Sequence, residues 1–211
     1  MKTKQVLVIH GGDFFDTREE YVESLKKETL DKEDLLRGER QGWKNNLSRD
    51  LGKGYEVLRP RMPLEDNARY EEWKLWFEKT LPHLVDGCVL VGHSLGGIFL
   101  ARYLSENTLP FKPSGLLLIA APFLEEMKGV GKDSNAGFTV GKDLSNVPNV
   151  VPKVLILQSD DDELVPVDHA NKYKKFMEKA KLVLVKGKNH FFKEETYPEI
   201  LEAIEEIAEA I

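Results

Sequence analysis

Six short apolar runs recur along the chain and predict strands. They lie at 6–9, 55–58, 89–91, 115–120, 154–158 and 182–185. Most are apolar at successive positions rather than at alternating ones, which is typical of strands buried on both faces of a parallel sheet. We therefore expect a parallel sheet of about six strands.

The segments between these runs carry apolar residues at helical spacing. The strongest pattern predicts a helix over 69–84, with Tyr70, Trp73, Phe77, Leu81 and Leu84 on one stripe. Further helices are predicted at 43–51, 98–105 and 168–179, and after Pro198. The spacings Thr17 to Glu20 and Thr196 to Glu199 both fit a capping box, which marks a helix start. Alternating strands and helices predict a doubly wound α/β fold with helices on both faces, in one domain over 1–211.

Two segments depart from this regular alternation. Residues 14–54 are longer than a simple crossover and rich in charge, and predict either a charged helical insertion near the site entrance or a solvated crossover. Residues 123–150 are rich in Gly, Asn and Lys without a sustained apolar period. This composition predicts a loop near the site and no large cap domain.

Composition narrows the class of partner. Of 211 residues 41% are hydrophobic and 31% charged, and the net charge of −6 disfavours nucleic acid or an anionic membrane as the main partner. The lone cysteine, Cys88, excludes an intrachain disulfide and fits a small buried hydrophobe. The chain opens without a signal-peptide pattern and has no run of membrane-spanning length, so we expect a cytoplasmic protein of unassigned oligomeric state.

The run at 89–91 leads into Gly92-His93-Ser94-Leu95-Gly96, followed at once by a helix-compatible segment. A serine at a sharp strand-to-helix turn needs small neighbours and exposes its hydroxyl at the carboxyl end of the strand. The N–H of Leu95, at a helix start, is a candidate oxyanion donor. The competing interpretation is a tight structural turn that happens to contain a serine.

Polar residues also follow other strands, at the edge where doubly wound sheets place their active sites. Asp160, Asp161 and Asp162 follow the fifth strand, and His190 follows the sixth. An imidazole is needed to take the proton of a serine hydroxyl, and a carboxylate to orient that imidazole. Serine, acid and histidine thus occur in that order, with the choice of aspartate open.

His10-Gly11-Gly12 follows the first strand. These glycines allow a backbone N–H, that of Gly12, to serve as the second oxyanion donor, and His10 is placed to line the site. No phosphate-binding glycine pattern is present, which disfavours a nucleotide-binding protein. No histidine pair has metal-ligand spacing, so we assign no metal and no cofactor.

Together these motifs resemble the α/β-hydrolase superfamily. The glycine loop after the first strand, the Ser94 motif, Asp162 before Val165-Pro166, and Asn189-His190-Phe191 match its landmarks in order. The small size is similar to that of the YdeN-like serine hydrolases, a group that includes a retinoblastoma-binding member. That member's Leu-x-Cys-x-Glu motif is absent here, so the partner is not implied.

The resemblance implies roles for individual residues. It selects Asp162 as the acid beside Ser94 and His190, and the N–H groups of Gly12 and Leu95 as oxyanion donors. We thus predict a cofactor-free serine hydrolase that cleaves a small acyl substrate through an acyl-enzyme. His10 and three aromatic residues are expected to line a modest pocket for short acyl chains: Phe14, Phe123 and Phe191. The alternative is a catalytically weak member of this fold that binds a ligand or another protein.

Overall fold

The protein forms one six-stranded parallel sheet in a computed structural model that describes residues 3–32, 36, 42–125, 134–140 and 144–209. The strands are β1 (Lys4–Ile9), β2 (Tyr55–Leu58), β3 (Val89–His93), β4 (Gly115–Ile119), β5 (Val154–Ser159) and β6 (Lys181–Val185). Each predicted strand is present, within two residues of its expected ends. The central strands β3, β4 and β5 are buried at every position, which explains why their sequences are apolar throughout.

The strand order is β2-β1-β3-β4-β5-β6, with all neighbours parallel. The chain moves outward from β1 to β2 and then returns to the other side of β1 with β3. The order therefore reverses between β1 and β3, and the crevice beyond their carboxyl ends is the usual ligand position in such sheets. The register pairs Ile9 with Gly92, which brings the loop after β1 beside the Ser94 turn.

The helices cover both faces of the sheet, as predicted. Those within the described residues are α1 (Arg18–Lys27), α2 (Trp43–Leu51), α3 (Tyr70–Glu78), α4 (Leu95–Glu106), α5 (Val147–Val150), α6 (Val167–Phe176) and α7 (Pro198–Ala208). One core forms where α3, α4 and α6 pack on the sheet, and the other where α2 and α7 pack on the opposite face. In the described part of the chain, no helix is long and apolar enough to cross a bilayer.

The charged segment between β1 and β2 contains two different helices. α1 begins with the predicted capping box, in which Thr17 Oγ1 accepts from the Glu20 N–H and the Glu20 carboxylate accepts from the Thr17 N–H. None of its residues is buried. α2 buries Trp43, Leu47 and Leu51 and ends at Gly52, whose φ of 75° suits glycine. Residues 33–35 and 37–41 of the expected insertion lie outside the described residues.

Several predictions about helix ends were wrong, including that for the helix expected over 168–179, which ends at Phe176. The helix expected over 69–84 ends at Glu78 and is followed by a separate 3₁₀ turn, Leu81–His83, because Pro82 has no N–H to continue an α-helix. The last helix begins at Pro198 without the expected capping box. Thr196 Oγ1 instead donates a hydrogen bond to Asp50 Oδ2 at 2.6 Å, so a tertiary contact replaces the local cap.

Candidate active site

Ser94 stands between β3 and α4 in a backbone conformation that L-residues rarely adopt, with φ 53° and ψ −123°. Such geometry costs roughly 1–3 kcal/mol and persists only when the surrounding structure imposes it. Here the Ser94 N–H donates to Ile119 O at 2.9 Å, and Ser94 O accepts from the Gly97 N–H at 2.8 Å. The turn is thus held from both sides while the hydroxyl faces the cavity described below.

The glycines around Ser94 are required by close backbone approach. A Cβ on Gly92 would lie 2.5 Å from Gly96 O, and one on Gly97 would lie 2.5 Å from the Ala121 Cβ. Real Cβ atoms do not approach other atoms this closely. The spacing of small residues predicted from the sequence is therefore a steric requirement of the turn.

Two N–H groups near Ser94 have no hydrogen-bond acceptor in the described part of the chain. One belongs to Leu95, the first residue of α4, and the other to Gly12. A Cβ on Gly12 would lie 2.6 Å from Glu65 O, so this loop also admits only glycine. Both groups are available to bond an oxygen that becomes negatively charged during a reaction.

His190 and Asp162 form a buried pair on the loops after β6 and β5. His190 Nδ1 lies 2.8 Å from Asp162 Oδ2, and the Asp162 side chain is fully buried. The other oxygen, Oδ1, accepts from the N–H groups of Leu164 and Val165 at 3.0 and 2.9 Å. Because an ionised carboxylate only accepts hydrogen bonds, His190 carries its proton on Nδ1 and keeps Nε2 as the basic nitrogen.

The two preceding aspartates have different partners. Asp161 accepts from the Asn189 N–H at 2.8 Å, from the Asn189 amide at 2.9 Å and from the Ser159 hydroxyl at 2.6 Å. These bonds lower the pKa of Asp161, those from Ser159 and the Asn189 N–H most. Asp160 accepts from the Gly187 N–H at 3.2 Å. Both residues join the β5 loop to the loop that carries His190, and only Asp162 among the three contacts the imidazole.

The two other histidines at this edge, His93 and His10, form hydrogen bonds with backbone groups. His93 is buried, and its Nε2 donates to His190 O at 2.9 Å, which supports the His190 loop from below. Burial, reinforced by the nearby Lys44 charge, holds the pKa of His93 well below its usual range. His10 Nε2 accepts from the Met62 N–H at 2.8 Å, so Nδ1 carries the proton and donates to Gly11 O, and burial lowers the pKa of His10 as well. His190 is therefore the base candidate.

An open cavity of about 920 Å³ lies at the carboxyl edge of the sheet. Several predicted site residues line it: His10, Gly12, Ser94, His190 and Phe191. The Phe191 ring itself is fully buried against Tyr197 at 5.1 Å between ring centres. The exposed side chains of Leu164 and Phe192 form an apolar border that was not predicted.

The structure does not bring Phe14 and Phe123 into this cavity. Phe14 stacks on Phe138 at 5.9 Å, and Phe123 is buried against Phe176 at 5.3 Å, so both rings pack in the core beside α3, α4 and α6. No described residue of 123–150 lines the cavity, although the sequence predicted a loop near the site there. Residues 126–133 and 141–143 lie outside the described residues.

The sequence reasoning placed the segment 14–54 near the site entrance as one of two alternatives, but it named no residue of α2 as lining the site. The cavity is lined by the amino end of this helix, from Gly42 to Asn45, and by Arg59 and Arg61 after β2. Trp43 Nε1 donates to Phe191 O at 3.1 Å, which ties α2 to the His190 loop. No motif identifies these residues, because the contact joins positions 148 apart in sequence.

Ser94 and His190 line the same cavity, and no hydrogen bond joins their side chains, both of which the structure describes. In the absence of substrate, hydrogen bonds of this kind are often long or poorly aligned and shorten when a ligand binds. The arrangement provides a hydroxyl, an oriented imidazole and the Gly12 N–H around one space, and the N–H of Leu95 directly follows Ser94. It has the components for acyl transfer.

Comparison with known proteins identifies a related family and related structures. A family model described as serine hydrolase matches residues 35–208. Similar solved structures include the ydeN gene product of B. subtilis, with a TM-score of 0.70 and 22% identity over 97% of this chain and 98% of that one. No curated protein matches the sequence.

Two further structures have the same fold. A putative YdeN-like hydrolase from Pectobacterium atrosepticum has a TM-score of 0.60 and 15% identity over 99% of this chain and 91% of that one. Est1E from Butyrivibrio proteoclasticus has a TM-score of 0.57 and 17% identity over 97% and 86%. The predicted α/β-hydrolase fold and its resemblance to YdeN-like proteins are confirmed.

Proposed function

Because the chain belongs to the serine hydrolase family, we propose that it cleaves an ester, thioester or activated amide of a small molecule through an acyl-enzyme. Ser94 is the nucleophile, His190 the general base and acid, and Asp162 the residue that orients His190. The observation that carries this proposal is the bond of 2.8 Å between His190 and the buried Asp162, beside a cavity that Ser94 also lines.

In the first half-reaction, Ser94 Oγ attacks the substrate carbonyl carbon while His190 Nε2 takes the hydroxyl proton. The carbonyl oxygen becomes an oxyanion, bonded by the N–H groups of Gly12 and Leu95. Loss of one such donor costs about 3 kcal/mol in typical hydrolases. His190 then gives the proton to the leaving group as the carbon–heteroatom bond breaks, which leaves the acyl group on Ser94.

In the second half-reaction, a water molecule attacks the acyl-enzyme and His190 takes its proton. Collapse of the second tetrahedral intermediate returns the proton to Ser94 and releases a carboxylic acid. Asp162 stabilises the imidazolium in both halves, supported by hydrogen bonds from Gln158 and two backbone N–H groups.

A burst experiment tests the acyl-enzyme. With 4-nitrophenyl butyrate and micromolar protein, we expect a rapid release of nitrophenol equal to the protein concentration, followed by slower turnover. The S94A protein should show neither phase. Hydrolysis that is equally fast in S94A would contradict the proposal.

One observation favours a second candidate, a ligand-binding protein with little turnover. The side chains of Ser94 and His190, both within the described residues, do not form a hydrogen bond. In that case a small acyl compound should bind measurably by calorimetry while neither burst nor turnover occurs. Turnover that depends on Ser94 would exclude this candidate.

A further inference from the structure

Lys44 lies at the amino end of α2 and lines the cavity that contains Ser94. Its side chain is partly buried, and it forms no ion pair or hydrogen bond with any described residue. Its ammonium group lies over the neighbouring Trp43 ring, at 4.9 Å from the ring centre. An ammonium group that loses part of its hydration is stabilised by an anionic partner, and none of the described residues supplies one to Lys44.

The electrostatic surroundings of Lys44 also favour an anion. Burial lowers the pKa of Lys44 to about 8, and no carboxylate among the described residues offsets this effect. The amino end of a helix carries a partial positive charge, which disfavours a cation there and favours a bound anion. Arg59, which donates to Asn45 Oδ1 at 3.3 Å, adds a second cation to the same wall of the cavity.

The acidic residues of the cavity belong to a different part of its wall. Glu65 pairs with Arg61 at 3.2 Å, and its backbone O accepts from the Asp13 N–H at 2.8 Å. Burial, and then the nearby charge of Asp66, raise the pKa of Asp13. These carboxylates surround the loop of Gly12 and do not neutralise Lys44.

The charge of Lys44 reaches the residues that surround Ser94. It acts on His10 and His93, which precede the loop of Gly12 and the turn of Ser94. Lys44 and Ser94 also line one cavity. The acyl group is the part of the substrate that becomes attached to Ser94, so a short acyl chain can carry a second carboxylate towards Lys44.

We propose that Lys44, assisted by Arg59, binds a carboxylate at the far end of the substrate's acyl group, so that the preferred substrates are half-esters or half-amides of short dicarboxylic acids. This inference rests on the proposed hydrolase function. Lys44 is a specificity residue in this scheme and takes no part in bond cleavage.

The test compares two esters of equal chain length, the 4-nitrophenyl half-ester of glutarate and 4-nitrophenyl valerate, with the S94A rate subtracted as background. Wild type should have the higher kcat/KM for the glutarate half-ester. K44M should lower kcat/KM for that ester about 10- to 100-fold, as expected for loss of a charged hydrogen bond, and change it less than about threefold for valerate. K44R should restore the preference. K53M is the matched control, because Lys53 is exposed in the turn before β2, at the opposite edge of the sheet.

Equal rates on both esters in wild type, or an equal loss on both esters in K44M, would overturn the inference. Binding of free glutarate to the S94A protein, measured by calorimetry, separates this failure from failure of the hydrolase proposal. If the S94A/K44M protein binds glutarate about tenfold or more weakly than S94A, the carboxylate site is supported even when neither ester is cleaved. No binding to S94A, or binding unchanged by K44M, would refute it.

Discussion

Replacement of Asp162 by asparagine tests the role of its charge without changing its size. In the native structure both carboxylate oxygens accept hydrogen bonds: Oδ1 from two backbone N–H groups, and Oδ2 from Gln158 Nε2 at 3.0 Å and from His190 Nδ1. An asparagine has one acceptor oxygen. If that oxygen serves the backbone, its amide NH₂ faces two other donors.

Gln158 cannot relieve this conflict by turning its amide, because its Nε2 also donates to Val165 O at 2.8 Å. The remaining solution is for His190 to move its proton to Nε2, so that Nδ1 accepts from the asparagine. The imidazole would then present a proton to Ser94 instead of a lone pair. A change of this kind in a serine–histidine–aspartate site lowers kcat about 10⁴-fold, which corresponds to roughly 5.4 kcal/mol in the activation free energy.

The assay is hydrolysis of 4-nitrophenyl butyrate by D162N, with D161N as the matched control. Asp161 is exposed, and an asparagine there still accepts from the Asn189 N–H while the Asn189 side-chain amide can turn. We expect D161N to keep kcat within about tenfold, since a lost exposed hydrogen bond is worth roughly 0.5–1.5 kcal/mol. A D162N protein that is folded by circular dichroism and within tenfold of wild type would refute the reasoning, as would a larger loss in D161N than in D162N.

Three further predictions concern the turn, the cavity and its charge. G92A should lower the free energy of unfolding by about 1–3 kcal/mol in urea titrations because its Cβ meets the Gly96 backbone, whereas G54A, with nothing within 4 Å, should change it by less than about 0.5 kcal/mol. Esters from acetate to decanoate should show highest kcat/KM for short chains, because the cavity wall is rich in charged residues, and a maximum at decanoate would contradict this. The ratio of glutarate to valerate kcat/KM should fall as pH rises through about 8, because Lys44 is charged below its pKa and neutral above it.

The ratio of kcat/KM for the glutarate half-ester to kcat/KM for valerate separates the titration of Lys44 from that of other groups. Any effect of His190 is common to both esters and cancels. K44R keeps every other charged group that faces the cavity, namely Asp13, Arg59, Arg61, Glu65 and Asp66, and retains its own charge throughout. A ratio that falls equally in K44R would assign the pH dependence to one of those groups.

The sheet was predictable from sequence because its strands are buried on both faces. An apolar run such as Val89 to Val91, between turn residues, is typical of a strand buried on both faces. The residues directly after parallel strands lie at one edge of the sheet, however the helices pack. Ser94 and His190 were therefore located at this edge before any tertiary information. Choosing Asp162 over Asp161 needed the resemblance, and the structure adds the contact with His190 that the sequence could not specify.

The features that sequence reasoning missed depend on packing between distant segments. Phe14 was expected in the pocket because it follows β1, but its ring stacks on Phe138, more than a hundred residues away. Thr196 does not form the predicted local cap, because its hydroxyl donates to Asp50, a residue distant in sequence. Lys44 carries no motif, and only the packing of α2 beside the His190 loop brings it to the cavity.

Covalent labelling of the intact protein with a fluorophosphonate tests the central claim most directly. Such probes react with a serine whose hydroxyl is activated by a neighbouring base, and peptide mapping identifies the residue that is modified. We predict one modified peptide, which contains Ser94. Neither the S94A protein nor wild-type protein that has first reacted with a substrate analogue should be labelled. Folded wild-type protein that stays unlabelled, or that is labelled at another serine, would contradict the assignment of Ser94 as the nucleophile.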